Sequence, residues 1–127
     1  MSTASSRATL IMVTAWSEEQ AATIGRALVG ERLAACVNIV GPIRSIFRWQ
    51  GEVQNDREHL MLIKTRASLV SKIERRVREL HSYEVPEVIA LLISGGSKPY
   101  LDWLLDSTSS AAATGARKGR RKSSSNG

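Results

Sequence analysis

The 127-residue chain is poor in the residue types on which most small catalytic or metal-bearing domains are built. It has one cysteine, Cys36, and two histidines, His59 and His81. A lone thiol excludes an internal disulfide, leaves no CxxC pair, and suits a reducing, cytoplasmic setting. HExxH, a glycine-rich phosphate loop and a nucleophile elbow are all missing, so the expectation is a protein that is not an enzyme and requires no cofactor. Gly95-Gly96-Ser97 before Lys98 is too short to cradle a phosphate and reads as a turn into a helix. No apolar run reaches the ~20 residues that span a bilayer, and Met1 to Arg7 lacks the apolar centre of a signal peptide, so no membrane partner is expected.

The net charge of +6 is unevenly distributed. Arg117, Lys118, Arg120, Arg121 and Lys122 stand in a segment, 107–127, that has no acid, which leaves thirteen bases against twelve acids in 1–106. The body of the chain is therefore nearly neutral, and no specific nucleic-acid partner is expected. The Ser/Ala/Gly/Lys/Arg mixture of 107–127 cannot build a core and reads as a disordered basic tail, while 1–7 reads as a frayed start. Between them, 8–106 is expected to form one domain.

Within that domain the organising stretch is Ile43 to Thr65. Ile43, Ser45, Phe47 and Trp49 fall at period two, Gln50-Gly51 supplies a turn, and the return is polar from Glu52 to His59 and apolar from Leu60 to Ile63. With pairing from about Cys36, each limb runs roughly 40 Å at ~3.3 Å per residue, against roughly 34 Å for a sphere of ~100 residues. The arm should overhang its own domain. A lone ribbon carrying Phe47 and Trp49 needs a surface, and other copies of the chain are the expected source.

The remaining segments give the order β-α-β-β-α-β with an added helix. Thr9 to Thr14 is a strand apolar on both faces. Ser17-Glu18-Glu19-Gln20 opens a helix with buried Ala21, Ile24 and Leu28 that ends near Gly30. Pro42 requires an edge strand or a bulge. Ala67 to Leu80 is helical with its stripe at Leu69, Ile73, Val77 and Leu80. Val88 to Ile93 is the last strand, again apolar throughout, and Lys98 to Asp106 is a short helix. The fold class is α+β, a four-stranded sheet with a long hairpin between its second and third strands. Right-handed crossovers place both long helices on one face of the sheet, so the other face needs a cover supplied by association.

Four motifs in order, Glu31 to Asn38, Arg48 to Glu52, His81 to Glu87 and Tyr100 to Leu104, resemble those of the CutA divalent-cation tolerance proteins over residues 8 to 106. The resemblance implies a ferredoxin-like βαββαβ sandwich assembled into a homotrimer, with hairpins exchanged between neighbours, and a link to copper (Cu²⁺) and other divalent metals. The trimer geometry is also similar to that of the PII signalling proteins. His81 is the leading metal candidate, because neutral imidazole suits Cu²⁺ and Zn²⁺, although it would serve as well to cap the preceding helix. Members credited with copper ligands can have Cys where this chain has Val13 and a further His where it has Leu80, so only His81 carries over. Cys36 is a second metal candidate or a buried inert thiol, and Glu84 a third. Tyr83, Glu87 and Trp103 are expected with them at an intersubunit cleft, the glutamates serving equally as interface ion pairs. Phe47 and Trp49 are read as trimer-arm contacts rather than base-stacking aromatics, since the basic signature of an RNA-binding sheet is absent. The other reading is a PII-like sensor that binds a small anionic metabolite and an unknown protein partner.

Overall fold

A computed structural model describes residues 7–109. The elements are β1 (Ala8–Ala15), α1 (Glu18–Gly30), β2 (Cys36–Trp49), β3 (Glu52–Arg66), α2 (Val70–Leu80) preceded by a 3-10 turn (Ala67–Leu69), β4 (Ile89–Leu92) and α3 (Lys98–Ser107). The four strands form one sheet in the order β2-β3-β1-β4, antiparallel at every pairing, as a ferredoxin-like βαββαβ chain requires.

Local chemistry explains the boundaries. Ser17 caps α1 by accepting a hydrogen bond from Gln20 N–H at 3.0 Å, and Glu18 and Glu19 sit in the positive first turn. Gln20 reaches back to Trp16 N–H at 3.4 Å rather than to Ser17 N–H. In α2, Arg78 pairs with Glu74 one turn earlier at 2.6 Å, the order that favours a helix. The hairpin turns through Gln50 and Gly51, both at positive φ, +51° and +82°, which is the two-residue turn that matches strand twist.

The core lies between the sheet and the pair α1/α2. Ile11, Val13, Ala15, Met61 and Ile63 point into it from the strands and meet Ala21, Ile24, Leu28, Ile73 and Val77, all fully buried. Strand alternation sends Leu10, Met12, Leu60 and Leu62 to the opposite face, where they are only half-buried. Arg66 belongs to that second set, and its guanidinium donates to Leu105 O and, at 3.1 Å, to Thr108 Oγ1, so α3 crosses the second face at the β1 start of the sheet.

Three expectations are corrected at the margins. The last strand is four residues rather than six, and all four are exposed, Leu92 to 53%. As the edge strand beyond β1 it lies outside the helix layer, so it is bare on both faces rather than one. Ser107 and Thr108, placed in the tail by sequence, complete α3 and its cap, with Thr108 buried. Arg7, read as frayed, accepts from Ala67 N–H at 2.9 Å and Thr9 Oγ1 at 3.0 Å. The other residues assigned to the frayed start and the tail lie outside the described residues.

From Glu58 to the turn, β3 has β2 as its only strand partner among the described residues, because β1 pairing ends at Ala15 opposite His59. Ile43 to Trp49 and Glu52 to Glu58 thus form a two-stranded ribbon that runs about 23 Å beyond the rest of the sheet at ~3.3 Å per residue. The expected overhang is present.

Candidate functional site

The ribbon joins the sheet at an irregularity. Val40 lies opposite Leu60 and Ile43 opposite Glu58, so Gly41 and Pro42 together face the single residue His59 and form a bulge. The His59 ring fills the space above Gly41, where an added Cβ would stand 2.4 Å from His59 Cδ2. Only glycine fits that approach. His59, the last residue of the polar part of the return, is half-buried, and its Nδ1 is enclosed with no hydrogen-bond partner among the described residues.

Pairing across the ribbon sorts its side chains into two faces. Ser45 opposite Asp56, Phe47 opposite Gln54 and Trp49 opposite Glu52 make an acidic, aromatic face; Arg44 opposite Arg57 and Arg48 opposite Val53 make a basic one. The connector after α2 folds over the acidic face. Tyr83 OH donates to Glu58 Oε2 at 2.7 Å, and Glu58 is only 5% exposed. Desolvation, that hydrogen bond and the charges of Glu58 and Asp56 push the Tyr83 phenol well above its usual range. Glu87 is raised from the usual carboxylate value by partial desolvation and by the charge of Glu58. A cavity of about 290 Å³ opens here, lined by Phe47, Trp49, Asp56, Tyr83, Glu84 and Val85.

His81 anchors the connector. It is 8% exposed; Nε2–H donates to Thr14 O at 2.7 Å, and Nδ1 accepts from Tyr83 N–H at 3.0 Å. These partners fix a neutral tautomer with no lone pair left for a cation. The side chain does not cap α2; it is the backbone N–H of His81 that donates, to Val77 O at 2.8 Å. The ring also packs on Tyr83 at a centroid distance of 4.5 Å.

The residues proposed from sequence as metal ligands are not assembled within one chain. Cys36 lies opposite Lys64, itself opposite Leu10, whereas His81 is bound at Thr14. Four strand residues separate those rows, roughly 13 Å at ~3.3 Å each. The Cys36 thiol shares Asn38 Oδ1 with the Lys64 ammonium, a charge that repels a divalent ion. Among the described residues no group of three or more His, Cys, Asp or Glu could hold a metal. Trp103 packs against Tyr100 in a tilted arrangement, centroids 5.3 Å apart, on α3, which is anchored to Arg66 at the far end of β3 from Tyr83. Structure does unite Tyr83, Glu84, Phe47 and Trp49. Sequence reading missed Asp56 and Glu58, although both fall at period two on the return strand, in step with the aromatic face.

These features define a ferredoxin-like α+β protein with a projecting, two-faced arm and no metal-ligand cluster among the described residues. The family described as CutA1 divalent ion tolerance protein matches residues 9–107, and the chain belongs to that family. It is 54% identical over 99 residues to the divalent-cation tolerance protein CutA of Thermus thermophilus, a match covering 78% of this chain and 96% of that protein. It is 48% identical to the chloroplastic CutA of Arabidopsis thaliana over 78% of this chain but only 54% of that protein, so it spans about half of the plant relative. Among solved structures, the Thermus thermophilus protein superposes with a TM-score of 0.78 at 52% identity, covering 80% of this chain and 99% of that one. CutA1 from Oryza sativa gives 0.79 at 44% identity, with coverages of 82% and 95%.

Proposed function

We propose that the chain serves divalent-cation tolerance in the cytoplasm as a non-enzymatic homotrimer, and that its metal response is exercised at subunit boundaries. The observation that carries this reading is the part of the sheet's second face that α3 leaves open. Leu10, Met12, Leu60 and Leu62 are half-buried there, and Ile89 and Leu91 continue the same face at 47% and 46% exposure. A contiguous apolar surface of this kind calls for association. The projecting ribbon and the outer edge of β2, which no strand pairs among the described residues, point the same way. His81, with both ring nitrogens engaged, supports the site as a strut for Tyr83 rather than as a ligand.

Calorimetric titration of Cu²⁺ into the native assembly and into Leu91→Glu, which sets a charge on the open face, tests this reading. Binding that disappears when the subunits separate supports a boundary site. Equal binding by separated chains contradicts it.

A PII-like sensor of an anionic metabolite is the second reading. It draws on Lys72 and Arg75, which line a shallow cavity of about 180 Å³ beside α2. Arg76 in the same cavity is already committed to Glu31 at 2.8 Å and Glu79 at 3.0 Å. A thermal-shift series with nucleotides and phosphorylated metabolites separates the two readings.

A further inference from the structure

The cavity between the acidic, aromatic face of the arm and the connector has walls and charge that suit one ligand chemistry. Phe47, Trp49 and Tyr83 supply three aromatic rings, and Asp56 and Glu84 supply two exposed carboxylates. Neither carboxylate has an ion-pair partner among the described residues. Behind Tyr83, Glu58 is 5% exposed and receives a neutral hydroxyl, with no cation within ion-pair distance. Buried carboxylates are ordinarily paired, and here the expected cation is missing from the chain's own described residues. Negative charge at the rim disfavours an anion. Aromatic walls and scattered carboxylates disfavour a bare metal ion, which needs converging ligands. An organic cation satisfies both features, because ring faces and carboxylates attract it together. The volume, about 290 Å³, lies at the lower bound of drug-sized pockets, so the ligand is small.

The opposite face of the same ribbon carries groups of that chemistry. Arg44 and Arg57 are directly opposed, a like-charge pair that is unfavourable without a counter-ion, and Arg48 follows on the same face. All three are exposed and lack carboxylate partners among the described residues. Their side chains leave the ribbon away from the cavity, so they can enter only the cavity of another copy.

We propose that the cavity formed by Phe47, Trp49, Asp56, Tyr83, Glu84 and Val85 is a binding site for a guanidinium or alkylammonium group, furnished by a free small molecule or by an arm arginine of a second copy. This inference is independent of the metal reading above.

The test is calorimetry with ethylguanidinium, using the full chain, Arg44→Ala/Arg48→Ala/Arg57→Ala, and each of these carrying Asp56→Asn/Glu84→Gln. All five positions are exposed, and circular dichroism confirms that each variant is folded. Binding to the unaltered chain that weakens ~10-fold or more without the carboxylates supports the site and makes a free cation its ligand. Binding that emerges only in the triple variant, with the same carboxylate dependence, supports the site and makes a second copy's arginine its occupant. Absence of binding in both backgrounds, or binding indifferent to Asp56 and Glu84, overturns the proposal.

Discussion

The contact between Gly41 and His59 gives the sharpest test of how the arm is joined to the sheet. In Gly41→Ala the new methyl would stand 2.4 Å from His59 Cδ2 and 2.8 Å from Cγ. Because Cγ lies on the axis about which the ring spins, rotation of the ring alone leaves the second clash in place. Relief requires a change of χ1 or a shift of the bulge. Overpacking of this kind costs about 1–3 kcal/mol, and for a domain of ~100 residues each kcal/mol moves the melting midpoint by about 4–8 °C. The assay is guanidinium and thermal unfolding at fixed protein concentration on Gly41→Ala, His59→Ala and the double variant. Removing the ring first leaves room for the methyl, so the double variant should recover most of the loss, with a coupling of at least ~1 kcal/mol. Additive losses, or a Gly41→Ala chain as stable as the unaltered one, would refute the packing argument.

Tyr83→Phe deletes the hydroxyl that serves buried Glu58 and should cost about 1.5–3 kcal/mol in denaturant unfolding, with Glu58→Gln/Tyr83→Phe regaining part of it. Glu87 titrates above its unfolded value, so its ionised form is disfavoured in the folded state: stability should fall as pH rises from the unfolded value of ~4.3 through the raised folded one, and the penalty persists above it. Glu87→Gln should accordingly be more stable than the unaltered chain at pH 7 and show a flatter stability profile across that window, as read by unfolding at a series of pH values. His81→Ala removes the link between Thr14 and Tyr83 and should destabilise the fold without abolishing Cu²⁺ binding, which calorimetry on the folded variant would report.

Much of this architecture was legible because it rests on local chemistry and period. The capped start of α1, its stripe at Ala21, Ile24 and Leu28, the Gln50-Gly51 turn and the Pro42 irregularity are each decided by neighbouring residues. The βαββαβ order followed from these elements, and the ferredoxin-like class from the resemblance of four motifs to a known family. What could not be read was convergence. His81 has the chemistry of a ligand and becomes a strut only when β1 brings Thr14 O to its Nε2, across 67 positions of sequence. Cys36 and His81 look like partners until register sets them on different rows of the sheet. Glu58 and Asp56 looked like part of a solvated return strand, and only the connector carrying Tyr83 shows that one of them is buried. The exposure of β4 was missed because an apolar strand at a sheet edge has the same sequence as one in the middle.

If the ribbon and the open part of the sheet's second face are closed by other copies, a single copy of the chain is incomplete. Sedimentation equilibrium of the full chain at low micromolar concentration should then give a folded species of three times the chain mass, and a folded species of single-chain mass would show that closure by other copies is not needed.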